Sequence, residues 1–592
     1  MMIPPPNNSF PETEKDGNFS VWKVLFISWL ATIILTVFFI IPHEDDIFYF
    51  AQGLNLAKRG SLSIPIQDHE IRLFSIFGTL PFFHSLFQRL FDLIHIPLNF
   101  HTYRLFTSII AIVNIILALW YIRITSPQDA TCFRRRSALF LFLISTTYYS
   151  MSWMVVRPEF IGLSFFLAAL IADQSFLRQE KSPWHAFPIT GILFGTSAIC
   201  HPVCTILTGP TALVIAIREW KRHDKNHLKP LLLVLFGIFP ALVLLSYYTY
   251  YRQDSIPSLL LHVCELLGPF YWNLISNYLP GLDVSPETIW GEAPTPHMGE
   301  QIILNPLMFT FSNILNTKEI MILLRIFMYL APYYLILIAT IIIGRKKDAI
   351  NIGIQISFPY RYPFIISVIL IHIIVYSGMT FYGFLGFLLT ILLVQSNGCR
   401  IGNWIFTRLS KKFINIGLIL SILYILSWPL LHIGKHIVFP NHFPDPLKIQ
   451  REVNLIRHDI DYLFLLDSTI VPVFISDFEK TIAHDPSATF ETYWIFPTIG
   501  TFLTKKEAEF VKGFFDNIIK NKSKNRIAWH IKASDAAINN GSVCINIPKN
   551  NIEIYFKISR IIYKDNKNYI FTSNGFTTEC AKQPQSLLRT QE

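Results

Sequence analysis

The chain has 592 residues, of which 52% are hydrophobic and only 15% are charged, and its formal net charge is +10. A chain this long and this apolar is typical of a polytopic membrane protein and excludes an ordinary soluble domain. Its basic residues lie in loops between apolar runs. Membrane topology therefore explains the positive charge, and no nucleic-acid partner is expected.

Apolar runs long enough to form membrane-crossing helices, about 20 residues each, recur along the chain. We predict about eleven transmembrane helices from them. The predicted spans are 20–41, 103–123, 137–156, 159–177, 184–200, 202–218, 230–250, 320–343, 356–375, 377–396 and 413–433. The first run is too long for a signal-peptide core and has no small-residue cleavage site after it, so it is predicted to stay as a membrane anchor.

The charges of the loops predict the orientation, because loops rich in Lys and Arg stay on the cytoplasmic side. With residues 1–19 in the cytoplasm, alternation of the spans places every strongly basic loop inside. These basic loops are 133–136, 218–229, 344–348 and 399–412. The same alternation makes 42–102 and 251–319 large external loops. The second of these is acidic and has no Lys or Arg between Gln253 and Thr317.

Segment 71–98, within the first external loop, interleaves charged and polar residues with Phe and Leu. Counting it as a span would move the basic triplet at 134–136 to the outside and break the charge pattern. The mixture is typical of a helix that lies in the membrane interface. We therefore predict an interfacial helix here.

The composition becomes more polar after His436, and predicted strands alternate with a predicted helix and with Asn-Gly turns. The strands are 471–476 and 551–563, the helix is 505–520, and the turns are 540–541 and 574–575. The sequence thus predicts a transmembrane domain over 20–435 and a small external α/β domain over 436–592.

Cys544 and Cys580 both lie in this external domain, where a disulfide could persist. Two cysteines in one small domain also occur by chance, so the pairing stays open. No Cys or His spacing typical of a metal site, no Walker loop and no dinucleotide fingerprint is present.

Three consecutive carboxylates, Glu44, Asp45 and Asp46, follow the first span. The mostly apolar residues 47–51 hold them near the membrane surface. Adjacent carboxylates repel each other unless a proton or a cation lies between them, which favours either a general base or a divalent-metal site. A solvated acidic cap on a helix end is the simpler alternative.

Two short turns and one loop residue on the same predicted face offer donors to a phosphate. In one turn, Arg157 could bind a phosphate oxygen while Glu159 fixes its geometry, although the two could also form a plain ion pair. In the other, His201 could donate to an anionic headgroup or serve only as a turn residue. Arg72 is a weaker candidate, since interfacial arginines commonly snorkel. Together these groups predict a site for a lipid with an anionic phosphate headgroup.

This order of features resembles the GT-C class of integral membrane glycosyltransferases, in the branch of protein O-mannosyltransferases and the lipid A aminoarabinose transferase. That branch carries an acidic pair in its first external loop, then a Tyr, an Ala, and a Gly before an extended stretch. The matching residues here are Asp45, Asp46, Tyr49, Ala51 and Gly60, followed by SLSIP. The resemblance covers roughly residues 20–220.

The resemblance departs from the family pattern at two places. His201 stands where relatives often have Lys, and TLPFF at 79–83 replaces a Pro-Pro-Leu element. Both departures concern the contacts to the donor phosphate.

The resemblance implies a fold and a reaction. The fold is an all-α GT-C transmembrane domain with a large first external loop, followed by the external α/β domain. The reaction is inverting transfer of a sugar from a polyprenyl-phosphate donor to a lipid, glycan or protein acceptor. The implied setting is a bacterial inner membrane, with the catalytic face and the C-terminal domain in the periplasm.

The resemblance also assigns roles to the candidate residues. Asp45 would be the base, and Asp46 would orient it or bind a divalent metal ion, with Tyr49 in support. The leaving phosphate would be stabilised by Arg157, His201 and Arg72, with Glu159 supporting them. Loop 251–319 could cover the site.

Other classes of protein are less consistent with the sequence. A secondary transporter usually has repeated halves and ionisable residues near the midplane, and neither is evident. A polysaccharide polymerase or ligase places Arg in a later external loop, which here has none between Gln253 and Thr317. A structural receptor leaves Asp45 and Asp46 unexplained.

Overall fold

The computed structural model describes part of the chain. The described residues are 20–39, 56–57, 63–66, 69–72, 79–96, 100–126, 130–145, 158–179, 182–222, 227–252, 363, 365, 367, 384, 386–395, 398–399, 401, 410–438, 462–465, 491–494, 527–532, 536–539, 542–547, 552–564 and 568–577. The predicted span 320–343, most of 356–375 and external loop 251–319 beyond Arg252 lie outside these ranges. So do strand 471–476 and helix 505–520.

Helices occupy the described parts of the remaining predicted spans, and one further helix lies between the first two spans. They are α1 (Ser20–Phe39), α2 (Thr79–Leu93), α3 (Phe100–Thr125), α4 (Ala130–Ser145), α5 (Pro158–Ala172), α6 (Ala186–Cys200), α7 (Pro202–Arg222), α8 (Leu228–Arg252), α9 (Gly386–Gln395) and α10 (Lys411–Val438). A π-helical turn, Asp173–Leu177, extends α5.

Three described helices are long and apolar enough to cross a membrane: Ser108–Thr125, Glu159–Leu177 and Val203–Arg222. The structure thus confirms a helical protein with apolar helices. The total of about eleven spans stays a prediction.

The core joins helices that are far apart in sequence. Trp29 of α1 donates its indole N–H to the carbonyl of Leu141 in α4 at 3.4 Å, and Thr32 of α1 donates to that of Ile425 in α10 at 3.3 Å. The side chains around these bonds are mostly Leu, Ile and Phe. In apolar surroundings such hydrogen bonds to backbone carbonyls fix which helix faces meet.

Helices α6 and α8 cross at three glycines. A Cβ at Gly191 would overlap the carbonyl oxygen of Leu233, and one at Gly195 would overlap that of Gly237. Gly191 and Gly195 form a GxxxG pattern, which lets two helix backbones approach closely. This crossing places the start of α8 beside the start of α6.

Helix α2 is two-faced, as the sequence predicts for the interfacial helix. Its inner face packs His84 and Phe87 against Phe106 of α3, with ring centroids 4.4 and 5.0 Å apart. Its outer face exposes large apolar side chains, namely Phe82, Leu86, Leu90 and Leu93. The helix has 15 residues, too few to cross a bilayer.

The predicted start of this helix is wrong, because residues 69–72 form a strand. β1 (Ser63–Ile66) and β2 (His69–Arg72) pair antiparallel, with Ser63 opposite Arg72. The β-branched residues of this stretch favour strand over helix. The extended stretch predicted after Gly60 is confirmed by β1.

A seven-stranded sheet lies in the C-terminal part of the chain, in the order β4-β3-β5-β9-β8-β7-β6. Its strands are β3 (Tyr462–Leu465), β4 (Glu491–Trp494), β5 (Ile527–Lys532), β6 (Ala536–Asn539), β7 (Ser542–Ile547), β8 (Ile552–Lys564) and β9 (Asn568–Thr577). β3 pairs parallel with β4 and β5, and the other pairs are antiparallel. Strand β8 confirms the predicted strand 551–563.

Of the two turns predicted at Asn-Gly dipeptides, one agrees with the strand pairing and the other does not. Residues 540–541 connect β6 to β7, with Asn539 paired to Ser542, as a two-residue hairpin requires. The turn predicted at 574–575 is wrong, because these residues lie within β9. The register between β8 and β9 shifts at Phe556 and Ile558, and glycine inside a strand is typical of such a bulge.

The sulfur atoms of Cys132, at the start of α4, and of Cys399 lie within bonding distance of each other, and their Cα atoms are 5.4 Å apart. The prediction of a loop at 133–136 is wrong, because these residues lie in the first turns of α4. The contact still brings the basic segment 133–136 and the basic segment 399–412 to one face of the protein. Cys544 lies in β7, and its predicted partner Cys580 is outside the described residues.

Candidate functional site

The candidate site is built on the first turns of α5 and α7. Proline opens both helices, at Pro158 and Pro202, where its fixed φ suits the first helical position. The thiol of Cys204 donates to the carbonyl oxygen of Glu159 over 3.6 Å. The two predicted turns therefore lie together at the same end of the helix bundle.

Glu159 is the carboxylate of this end, and its side chain is 0% exposed. It lies in the first turn of α5, where the free N–H groups of a helix favour a negative charge. A charge buried this completely needs compensation from its surroundings. The position suits a residue that holds a cationic or donor group in place.

His201 links α6 to α7 in an extended conformation, with φ −164° and ψ 144°, and its side chain is also 0% exposed. The backbone N–H of Val203 donates to its Nδ1 at 3.3 Å, so the imidazole caps the start of α7. With Nδ1 accepting this bond, the proton of a neutral imidazole sits on Nε2. Nε2 is then a fixed hydrogen-bond donor.

Small and polar residues allow this close approach of α5 to its neighbours. A Cβ at Gly162 would overlap the sulfur of Cys204. Asn114 of α3 donates to the carbonyl of Phe160 at 2.9 Å and accepts from the hydroxyl of Ser164 at 2.8 Å. Asn114 and Cys204 were not predicted from the sequence. The signal that could have indicated them is a polar side chain inside an apolar run.

The other predicted site residues are only partly placed. Arg72 lies in β2, and its side chain is outside the described part of the structure. Asp45, Asp46, Tyr49 and Arg157 lie outside the described residues altogether. The roles predicted for these residues remain predictions.

A divalent metal ion also remains a prediction. Among the described residues, no group of three or more His, Cys, Asp or Glu could hold a metal ion. Asp46, the predicted ligand, lies outside those residues. Its carboxylate is a hard oxygen ligand of the kind that Mg²⁺ and Ca²⁺ prefer.

The geometry favours binding of an anion at this end. The N-termini of two helices converge, and each contributes partial positive charge from its free N–H groups. The Nε2–H of His201 adds a directed donor. Phosphate is the anion that such helix ends most often bind.

No family model matches the chain, and no curated protein sequence matches it either. Among solved structures, ArnT from Cupriavidus metallidurans bound to undecaprenyl phosphate is similar at 10% identity and a TM-score of 0.47, covering 93% of this chain and 97% of that one. The oligosaccharyltransferase AglB from Archaeoglobus fulgidus, with an inhibitory peptide and a dolichol-phosphate, is similar at 10% identity and 0.42, covering 86% and 69%.

A further structure, an Archaeoglobus fulgidus oligosaccharyltransferase in complex with Zn and sulfate, is similar at 11% identity and a TM-score of 0.38, covering 86% of this chain and 67% of that one. The names of these proteins include transferases and polyprenyl phosphates, the classes that the sequence resemblance predicts.

Proposed function

We propose that this protein is an integral membrane glycosyltransferase that moves a sugar from a polyprenyl-phosphate donor to a lipid, glycan or protein acceptor. The observation that carries the proposal is the convergence of Glu159 and His201, both buried, at the first turns of two neighbouring apolar helices. The acidic pair Asp45 and Asp46 and its resemblance to the GT-C class support it from the sequence.

The reaction inverts the anomeric centre of the sugar. Asp45 takes the proton of the acceptor hydroxyl, whose oxygen attacks the anomeric carbon. The bond from that carbon to the phosphate oxygen breaks on the opposite face, and polyprenyl phosphate leaves. Asp46 orients Asp45 or binds a divalent cation, and Tyr49 supports the pair. A cation held there would neutralise negative charge on the phosphate.

The leaving phosphate needs donors that are already in place before the reaction. His201 offers Nε2–H from an imidazole fixed by its bond to Val203. Arg157, next to the buried Glu159, and Arg72 offer guanidinium groups. Charge stabilisation by such preorganised donors is usually the largest part of the rate enhancement.

The reaction takes place on the outer face of the membrane, which we assign to the periplasmic side of a bacterial inner membrane. The loop charges support this orientation, because the predicted inner loops are basic and the outer loop 251–319 is acidic. The donor headgroup is then at the depth of Glu159 and His201, and the C-terminal sheet lies on the acceptor side.

The function is tested by incubating the purified protein with a panel of labelled polyprenyl-phosphate sugars and an extract of membrane lipids and glycans. The proposal predicts that one donor loses its label to an acceptor and releases polyprenyl phosphate. Protein with an intact fold that moves a donor across vesicle membranes, without transfer of its sugar, would instead identify a transporter.

A further inference from the structure

A second charged region lies at the opposite ends of α5 and α7, far from the candidate site. Asp173 follows Glu159 by 14 residues, which is about 21 Å along a helix. The two apolar spans Glu159–Leu177 and Val203–Arg222 both end here, and α6 and α8 begin here. Four helix ends therefore meet here, and because two of the helices are long enough to cross a membrane, we expect these ends to reach the headgroup region.

Two buried carboxylates at this end are compensated by two arginines. Arg218 donates to Asp173 through Nη1 at 3.3 Å and to Glu219 through Nε at 2.8 Å. The Nε of Arg178 also donates to Oδ2 of Asp173, at 3.4 Å. Asp173 and Glu219 are completely buried, while both arginines are partly exposed.

Two further cations are held by neutral groups. Arg222 donates to the carbonyl oxygens of Leu177 and Gln179, and Lys229 donates to that of Ser182 at 3.1 Å. These carbonyls carry no formal charge, and no carboxylate among the described residues is bonded to Arg222 or Lys229. Arg222 uses only part of its five N–H donors in these bonds, and Lys229 uses one of its three.

The cations at this end form a group that we call the basic patch. They are Arg178, Arg218, Lys221, Arg222 and Lys229. These five cations face two described carboxylates, which leaves an excess of three positive charges. The side chain of Lys221 is exposed. The basic patch therefore attracts anions, and four of its five cations are held by fixed parts of the fold.

Tryptophans flank the basic patch at the same depth. Trp184 is 45% exposed and lies under the ammonium group of Lys229, which is 5.3 Å from its ring centroid. Trp220 is 52% exposed and stacks on His227 at 4.5 Å. Exposed tryptophans at the ends of apolar helices are typical of the membrane interface.

We propose that the basic patch is a binding site for the phosphodiester headgroup of an anionic phospholipid, with Lys221, Arg222 and Lys229 as its donors. Charge complementarity identifies the partner as anionic, and the flanking Trp184 and Trp220 identify it as a lipid at the interface rather than a free anion. The site lies at the opposite helix ends from Glu159 and His201, so it does not depend on the proposed function.

Individual snorkelling cations are the simpler explanation, and they differ from a built site in a measurable way. Snorkelling would make the loss of any one interfacial lysine equivalent to the loss of any other. A built site makes lysines of the basic patch matter more than a lysine elsewhere. Lys412, which is exposed at the start of α10, provides the matched control.

The test uses the purified full chain in uncharged detergent, titrated with phosphatidylglycerol, phosphatidylcholine or inorganic phosphate. Bound lipid is counted by native mass spectrometry, and the midpoint of thermal unfolding is followed in parallel. We expect phosphatidylglycerol to bind and stabilise the wild type well below the concentrations that phosphatidylcholine or phosphate need. Lys221→Gln and Lys229→Gln should each weaken this binding about fivefold, and Lys412→Gln should leave it unchanged.

Several outcomes would overturn the proposal. Equal binding of phosphatidylglycerol and phosphatidylcholine would remove the requirement for charge. Phosphate that competes as well as the lipid would identify an anion site without a lipid. If Lys412→Gln weakened the binding of phosphatidylglycerol equally, the effect would reflect general surface charge. Because Lys221 is exposed, Lys221→Gln should fold normally, which keeps the result interpretable if Lys229→Gln is unstable.

Discussion

Arg218 donates to Asp173 across a separation of 45 residues, and the same separation joins Cys204 to Glu159 at the other end of these helices. Helices α5 and α7 therefore run parallel, side by side and in constant register. This arrangement brings Glu159 and His201 together at one end and the cations of the basic patch at the other. The two candidate regions thus lie at opposite ends of one pair of helices.

The ion pair between Arg218 and Asp173 should be important for stability. Arg218→Gln leaves the buried carboxylates of Asp173 and Glu219 without their shared donor. Removing one partner of a buried pair costs roughly 3–5 kcal/mol, so the unfolding midpoint should fall sharply. Lys221→Gln, the same loss of charge at an exposed position, should leave stability nearly unchanged. Equal stabilities of the two variants would show that the pair does not hold α5 to α7.

His201 is expected to have two separable roles. His201→Ala removes both the cap on α7 and the Nε2–H donor, so stability should fall by about 1 kcal/mol and transfer activity should fall as well. His201→Asn restores a side-chain acceptor for the N–H of Val203, so stability should recover while activity stays low. Thermal unfolding and donor turnover measure the two effects. Full activity in His201→Asn would rule out Nε2 as a phosphate donor.

The crossing of α6 and α8 should not tolerate a side chain at Gly195. Gly195→Ala places a Cβ against the carbonyl of Gly237, so the helices must separate, at a cost of roughly 1–3 kcal/mol. At Gly417 of α10, an added Cβ would meet no described atom within 4 Å. Gly417→Ala should therefore be neutral or stabilising, since alanine favours helix. A loss of stability in Gly417→Ala but not in Gly195→Ala would contradict the crossing.

The redox state of the neighbouring Cys132 and Cys399 tests the predicted membrane topology. The basic loops beside them predict a cytoplasmic face, where disulfides are rare. We expect both thiols to be reduced in intact cells and to be linked readily by a mild oxidant in isolated membranes. Labelling with a bulky maleimide, with Cys132→Ser as the control, distinguishes the two states. A disulfide already present in cells would place this face in an oxidising compartment and reverse the orientation.

The sequence predicts features that repeat along the chain and misses contacts between distant parts of it. Apolar runs locate the helices, and the two-faced composition of α2 distinguishes it from a span. The pairing of Cys132 with Cys399 leaves no local signal, because these residues lie 267 positions apart. Arg136 is another example. Its buried side chain donates to the carbonyl of Val394, which is distant in sequence, and to that of the nearer Thr125.

Part of the candidate site could be predicted in the same way. Pro158 and Pro202 mark the starts of α5 and α7, so the sequence indicates the turns at Glu159 and His201. The contact between the two turns depends on how the helices pack, which no local pattern encodes. The bond from Val203 to His201 likewise follows from the backbone conformation of the completed turn.

The proposed role of Asp45 as the base of the sugar transfer is tested by comparing three proteins in the donor assay. The wild type, Asp45→Asn and Glu44→Gln are supplied with the donor that the panel identifies, and released polyprenyl phosphate is quantified. We predict that Asp45→Asn loses about 10²–10⁴-fold in rate, while Glu44→Gln, which loses the neighbouring charge, stays near the wild type. Full activity in folded Asp45→Asn would contradict the account.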